Sequence, residues 1–334
     1  MGADVARDSD WVFPALIFVS FQYAVALFLS VRLGFPHVPP LFGYFIIGML
    51  VTVAGAVILM LRSMWYLMLD GQRRPAVALL SQFRANRARI LVGILGIQLV
   101  VLQVGSLTWL KSMMPLVVPF WADPMLADLD HAIFGTDPWK LLLWLKPAEP
   151  LIDYVYALWF PIKSLVMAGI LISPPSFRKS RAVLAYFFTI GIFGVLGQYA
   201  FSSAGPLFYE IAGFGNRFAD LPLTPVVQTA RSYLWNNYVT GGDGIGAGIS
   251  AMPSIHVALA AWIALSLRSV YPRVAILGWT FFAFIMVGSV YLGWHYAVDG
   301  IAGTLAALVS WKLAGVVIER RTGPRQRATA MGTA

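Results

Sequence analysis

The sequence predicts an all-α, polytopic membrane protein of about eight transmembrane helices. Of its 334 residues, 59% are hydrophobic and only 12% are charged, and the mean hydropathy is +0.75. A soluble domain is about 45–50% apolar and about 25% charged. Apolar runs recur along the whole chain, and basic residues gather between them. This pattern excludes a soluble enzyme that carries a single membrane anchor.

Each predicted helix rests on an apolar run long enough to cross a bilayer, which takes about 20 residues. The eight candidate spans cover residues 11–33, 41–61, 90–110, 150–172, 182–201, 253–271, 274–290 and 296–318. The chain then divides into N-terminal helices with an outer segment at 1–149, a C-terminal group of helices at 150–318 and a disordered basic tail at 319–334.

The distribution of Lys and Arg predicts the orientation. Basic clusters follow the second, fourth, sixth and eighth spans, which places them all on one side of the membrane. Their members are Arg62, Arg73, Arg74, Arg84, Arg87, Arg89, Arg178, Lys179, Arg181, Arg268, Arg273, Arg320, Arg321, Arg325 and Arg327. The positive-inside rule makes that side cytoplasmic, with both termini there, and we expect the plasma (inner) membrane. The net charge of +9 then reflects topology and attraction to anionic lipid rather than nucleic-acid binding.

Two long segments lie on the opposite, extracytoplasmic side. Residues 111–149 contain a short amphipathic stretch at 125–134, which predicts a helix lying in the interface. Residues 202–252 end in a glycine-rich run at 241–248, which is either a phosphate cradle or a flexible approach to the next helix. A long outer loop that leads directly into a helix is a good place for a binding site or a lid.

Two short pieces hold the most informative polar residues. The chain has only four histidines; His256 follows Pro253 and Ser254 at the start of one apolar run, and His295 precedes Asp299 at the start of another. His295 and Asp299 are four residues apart and share one helix face. The topology puts both histidines at the outer ends of their helices. The other two, His37 and His131, we interpret as interfacial hydrogen-bonding residues.

Two imidazoles and one carboxylate suit phosphoryl transfer by double displacement. One neutral imidazole attacks phosphorus, and the other, when protonated, donates to the leaving oxygen. The chemistry requires no metal and no cofactor, and the absence of cysteine excludes thiolate chemistry. The expected partners are a lipid phosphate or phosphodiester substrate and membrane lipids, with no nucleic acid. The sequence leaves the oligomeric state open.

At these residues the chain resembles the type-2 phosphatidic acid phosphatase superfamily. Residues 250–256, Ser-Ala-Met-Pro-Ser-Ile-His, are similar to its Pro-Ser-Gly-His motif. Residues 290–299 are similar to its final His-x-x-x-Asp motif. The resemblance, which covers about residues 150–318, implies a six-helix, phosphatase-type catalytic core in that region. It implies that His295 is a nucleophile that forms a phosphohistidine. It also implies that Asp299 orients His295 and that His256 is the general acid.

Departures from the superfamily pattern refine the expected function. Ser289 stands where these phosphatases usually carry an Arg, the upstream Lys…Arg-Pro motif is missing from its expected place, and Ile255 replaces a Gly. A phosphomonoester dianion normally requires those cations, whereas a phosphodiester carries one charge fewer. The pattern resembles the inositol phosphorylceramide synthase-like branch, which implies transfer of a phospho-headgroup, of phosphoinositol type, between lipid and polyol substrates.

Other residues are candidates for binding the phosphate. They are Ser254, Lys163, Arg217, Arg231 and Ser289. Lys163 lies within a predicted span, so it is either a phosphate ligand or a lysine that reaches the interface or a water-filled cavity. The two arginines lie in the outer segment that leads to Pro253.

Three other functions remain open from the sequence. The first is a lipid or polyprenyl phosphate phosphatase. The second is a proton-coupled transporter that uses the His and Asp residues. The third is a polytopic glycosyltransferase that uses Asp128 and Asp130, although their surroundings suit an amphipathic helix better.

Overall fold

The computed structural model describes residues 10–36, 39–242 and 244–331, with side chains up to residue 321. His37, Asp243 of the glycine-rich run and the last three residues lie outside this part. The described residues form helices and connecting turns, without a β-strand. The main helices are α1 (Val12–Leu33), α2 (Leu41–Leu69), α3 (Pro75–Val117), α4 (Asp123–Phe134), α5 (Glu149–Ala157), α6 (Trp159–Ile172), α7 (Phe177–Phe188), α8 (Pro225–Thr240), α9 (Ile255–Val270), α10 (Ala275–Tyr291) and α11 (Ala297–Met331).

Helical segments of sufficient length and hydropathy make this an integral membrane protein. Six in the described part meet both requirements: Val12–Leu33, Leu41–Leu69, Pro75–Val117, Phe177–Ala200, Pro272–Tyr291 and Ala297–Arg321. A seventh crossing is formed if Leu143–Ala157 and Trp159–Ile172, which bend by 43° at their junction, count as one broken span. The all-helical membrane fold is therefore confirmed, whereas the count of eight stays a prediction.

Helix α9, which forms most of the predicted span 253–271, is short for a membrane crossing. It has 16 residues and is about 24 Å long, less than the roughly 30 Å of a hydrocarbon core. It is also largely enclosed, because ten of its 16 residues are buried. Small residues allow close packing on both sides: a Cβ at Gly278 of α10 would come 2.9 Å from the Ala264 backbone, and one at Gly303 of α11 would overlap the Ser254 carbonyl oxygen. Helix α9 is thus held between α10, near Ala264, and α11, at Ser254 just before its first turn.

Helices α1 to α3 pack along one side of this core. Helix α2 contacts mainly α3 and leaves large apolar side chains such as Phe42, Leu50 and Ile58 exposed. This is the surface expected of a helix that faces lipid. Among the buried contacts of α3, the side-chain amide of Gln103 donates to Gln22 of α1.

Two helices extend beyond their predicted bounds. The segment with Arg84, Arg87 and Arg89 was predicted as a loop, but it forms the first part of α3. Helix α11 continues to Met331, where the sequence predicted a disordered tail from Glu319. Arg, Gln, Glu and Ala are good helix formers, so a loss of hydropathy does not by itself end a helix.

The two segments predicted to lie on the extracytoplasmic side both contain helices. Helix α4 coincides with the predicted amphipathic stretch. Helix α8 was not predicted; it begins after Thr224, whose hydroxyl oxygen accepts a hydrogen bond from the backbone N–H of Val227 at 3.3 Å. It ends at Gly241 in the left-handed conformation, and the glycine-rich run then leads to α9.

Candidate active site

The imidazoles of the two motifs lie in direct contact. Nδ1 of His256, in the first turn of α9, is 3.3 Å from Nε2 of His295, in the turn between α10 and α11. The two residues are 39 positions apart in the sequence. Their meeting follows from the packing of α9 between α10 and α11.

The other ring nitrogen of His295 faces a backbone carbonyl. Its Nδ1 is 3.0 Å from the oxygen of Ala251 and 3.6 Å from Oδ2 of Asp299. A carbonyl oxygen only accepts, so Nδ1 carries the proton and donates to Ala251. In the neutral ring, Nε2 then keeps its lone pair and accepts from Nδ1–H of His256.

Asp299 joins the two motifs chiefly through backbone groups. Its Oδ2 accepts a hydrogen bond from the backbone N–H of Tyr296 at 2.9 Å, which caps the start of α11. Its carbonyl oxygen accepts from the N–H of Ser254 at 3.0 Å. Its Oδ1 is buried and has no hydrogen-bond partner in the described part of the chain. The carboxylate therefore stabilises the turn that carries His295 and lies slightly beyond hydrogen-bond distance of the ring.

The turn that carries His295 depends on left-handed glycines. Gly293 has φ +73°, and its carbonyl oxygen accepts from the N–H of Leu207 at 2.8 Å. Gly205 has φ +92°, and a Cβ there would come 2.7 Å from the carbonyl oxygen of Trp294. Glycine adopts these angles without strain. Because Gly205 has no side chain, the 205–207 segment packs directly on this turn.

Two buried aspartates of α4 accept hydrogen bonds from residues on both sides of the turn that carries His295. The carboxylate of Asp123 accepts from the N–H groups of Ala204 and Gly205 at 2.7 and 2.8 Å and from the Tyr296 hydroxyl at 2.9 Å. Asp130 accepts from the N–H groups of Ala297 and Val298 at 2.7 and 2.9 Å, which caps the first turn of α11.

Burial shifts the pKa values of Asp130 and His295. It raises the pKa of Asp130 to about 6, although the two backbone hydrogen bonds oppose the shift. It lowers the pKa of His295 to about 3; the bond to Ala251 opposes this shift and the positive charge of Lys111 adds to it. His295 is therefore neutral at pH 7, which is the state a nucleophile needs.

Aromatic side chains from α5 and α6 surround His256. The Trp159 ring centroid is 4.4 Å from that of the imidazole, and the Tyr156 ring stacks at 5.4 Å. The indole N–H of Trp159 also donates to the carbonyl oxygen of His256 at 3.1 Å. These contacts fix the backbone and the ring of His256.

A cavity of about 360 Å³ opens onto both histidines. Its charged or polar lining comes from different parts of the chain, and an apolar wall from α8 faces it. The polar and aromatic lining residues are Lys111, Asp153, Tyr156, Trp159, Phe208, Ser250, His256, Trp294 and His295. The Tyr156 hydroxyl, the Ser250 hydroxyl and the Trp294 indole N–H have no hydrogen-bond partner among the described residues. They are free to bind a polar ligand.

The two predicted serines are buried beside this cavity and do not line it. The Ser254 hydroxyl accepts from the N–H of Val257 at 3.2 Å and caps α9. The Ser289 hydroxyl donates to the carbonyl oxygen of Met286 at 2.9 Å, and the backbone oxygen of Ser289 accepts from the N–H of His295. Both side chains are engaged by backbone groups.

The three predicted cations also lie outside the cavity lining. The Lys163 ammonium is buried 4.2 Å from the Phe160 ring centroid, and Arg231 donates to the carbonyl oxygen of Leu207 at 3.0 Å. Arg217 donates to the carboxylates of Asp128 and Asp137 at 2.7 Å. Their role as phosphate ligands stays a prediction.

Sequence reasoning missed several residues that line or support the site. Lys111 follows a predicted span and has the pattern of an interfacial lysine. Asp153 lies inside the predicted span 150–172, and an acid at that depth is a functional candidate. Ala251 contributes only a carbonyl oxygen, which its side chain does not reveal. In the described residues, no group of three His, Cys, Asp or Glu side chains is arranged to hold a metal ion.

The fold and the comparison with known families together indicate a membrane enzyme of the phosphatase type. The chain belongs to the PAP2 superfamily, whose model matches residues 124–313, more than half of the 334 residues. The superfamily predicted from the two motifs is therefore confirmed. No curated protein and no solved structure matched the chain.

Proposed function

We propose that this protein is a lipid phosphotransferase that moves a phospho-headgroup between lipid and polyol substrates through a phosphohistidine at His295. The observation that carries the proposal is the 3.3 Å contact between the two imidazoles at the wall of one cavity. Nδ1 of His295 is occupied by the Ala251 carbonyl, which leaves Nε2 as the reactive nitrogen.

The reaction has two displacements. Nε2 of His295 forms a bond to phosphorus as the bond from phosphorus to the leaving oxygen breaks, and protonated His256 gives its proton to that oxygen. A hydroxyl of the acceptor then attacks phosphorus, the N–P bond breaks, and His256 takes the hydroxyl proton. The substrate phosphate enters between the two rings and replaces their mutual hydrogen bond.

Two features favour transfer over hydrolysis. Ser289 is fully buried where related phosphatases usually carry an Arg, which suits a phosphodiester with a single negative charge. Asp153 and Tyr156 line the cavity, and a carboxylate beside a hydroxyl suits recognition of a polyol. A related lipid or polyprenyl phosphate phosphatase is the alternative, in which water replaces the polyol.

The test uses purified protein and a lipid phosphodiester labelled at phosphorus. Wild type should form an acid-labile, base-stable covalent label and pass it to a polyol acceptor. His295→Ala should lose both, and His131→Ala, an exposed histidine on α4, should lose neither. Full turnover in His295→Ala would disprove the mechanism, and release of headgroup phosphate unaffected by any polyol would favour the phosphatase.

We further propose that the site faces the extracytoplasmic side and that both termini are cytoplasmic. The chain contains no cysteine, so single cysteines report on sidedness directly. A membrane-impermeant maleimide applied to intact cells should label Asn236→Cys in α8 and spare Ser81→Cys in α3. The reverse pattern would invert the topology.

A further inference from the structure

Lys111 reaches the candidate site from a part of the chain that precedes the matched region. It lies near the C-terminal end of α3, and it lines the same 360 Å³ cavity as His256 and His295. It also lines a smaller adjoining cavity of about 70 Å³. The lysine therefore stands at the junction of the N-terminal helices and the motif-bearing helices.

The glycine-rich run fixes the position of Lys111. Gly248 has φ +100°, and a Cβ at this position would come 2.6 Å from Cβ of Lys111 and 3.2 Å from its carbonyl carbon. The run therefore crosses directly over the lysine backbone eight residues before His256. This close approach is the structural reason for a glycine here, and it gives the run a packing role.

No other lysine or arginine lines the large cavity in the part of the chain that the structure describes. Lys163 packs on aromatic rings, and Arg217 is bound by carboxylates. Asp153 lines the cavity too, yet it forms no ion pair with Lys111 among the described residues. The ammonium is thus available to a ligand, and its charge reaches His295 strongly enough to lower the pKa of that residue, after the larger effect of burial.

We propose that Lys111 is the cation that binds the substrate phosphate, in place of the arginine absent at position 289. A lysine supplies one flexible point charge, which matches the single negative charge of a phosphodiester. Its ammonium would contact a non-bridging oxygen and stabilise the negative charge that builds up as His295 attacks. This inference rests on the proposed phosphohistidine chemistry.

The test compares Lys111→Met, Lys111→Arg and a matched control, Lys146→Met, which removes an exposed lysine. Orthovanadate serves as the anionic probe, and its binding is followed by the fluorescence of the cavity tryptophans. Lys111→Met should weaken vanadate binding and lower kcat/KM by about 10- to 100-fold, the loss expected for one charge-assisted hydrogen bond. Lys111→Arg should recover part of both, and the control should match wild type.

Wild-type vanadate affinity and kcat/KM in Lys111→Met would overturn the inference. If that variant does not fold, Lys111→Gln and Lys111→Arg replace it; equal affinity in the two would overturn the inference, because only Arg keeps the charge. Covalent labelling separates this result from the proposed function. A labelled His295 with a dispensable Lys111 would refute only the role of the lysine, whereas activity in His295→Ala would refute the chemistry itself.

Discussion

His295 donates its Nδ1–H to the carbonyl oxygen of Ala251 at 3.0 Å, a shorter contact than the 3.6 Å to Asp299. The tautomer of the imidazole is therefore set by backbone that belongs to the segment just before α9. The carboxyl group of Asp299 caps the start of α11.

This relationship predicts a modest effect of Asp299→Asn. Where a carboxylate alone holds a catalytic histidine, the Asn substitution lowers turnover by about 10⁴-fold because the tautomer is wrong. Here the carbonyl keeps the tautomer, so we expect a loss of about 10²-fold or less, measured as kcat on a labelled lipid. Asp299→Ala also removes the cap and should cost about 1 kcal/mol of stability. A loss near 10⁴-fold in the Asn variant would show that the carboxylate, rather than Ala251, controls His295.

The proposed role of His256 as general acid predicts a dependence on the leaving group. A general acid contributes about 10²- to 10⁴-fold when the leaving oxygen needs a proton. His256→Ala should therefore slow transfer from an alkyl lipid substrate far more than transfer from a nitrophenyl analogue. The measurement is the ratio of wild-type to variant kcat/KM for both substrates, with His131→Ala as control. Equal ratios would rule out proton donation by His256.

Asp130 predicts a particular pH dependence of stability. Burial raises its pKa from 3.8 to about 6, so the folded state binds its proton more tightly than the unfolded state does. Its favourable contribution is complete below about pH 4 and is lost as the pH rises through about 6. The melting temperature of wild type relative to Asp130→Asn should therefore fall between pH 4 and pH 7. Parallel melting profiles for the two proteins would contradict the assignment.

Arg217 predicts a loss of stability rather than of substrate binding. Burial raises the pKa of Asp137, but hydrogen bonds from Arg217 and Lys140 outweigh it and lower that pKa. Arg217→Met leaves Asp137 without its main partner, which should cost about 1–3 kcal/mol of unfolding free energy. The KM of the folded protein should stay unchanged. A higher KM at unchanged melting temperature would instead make Arg217 a phosphate ligand.

The sequence predicted the motif pair well because its chemistry is local. His295 and Asp299 are one helical turn apart, and Ser254 caps the helix that carries His256, so spacing alone relates them. Hydropathy likewise predicted the apolar helices, since a bilayer demands length and composition that a sequence displays directly.

The residues that position and complete the site could not be predicted in the same way. Asp130 bonds to backbone groups 167 and 168 residues away. Lys111 lines the same cavity as the histidines only because α3 packs beside the core and the glycine-rich run crosses it. Such contacts depend on how helices pack, and no spacing within one segment encodes them. The carbonyl of Ala251 is harder still, because every residue type offers the same oxygen.

Because α3 contributes Lys111 to the cavity, the structure has a practical consequence for shortened versions of this protein. A fragment beginning at residue 124, where the family match starts, would retain both motifs in full. It would lack Lys111, which lines the cavity, and Asp123, whose carboxylate accepts hydrogen bonds from Gly205 and Tyr296. The region that the family model matches is thus shorter than the region that forms the cavity and its supporting contacts.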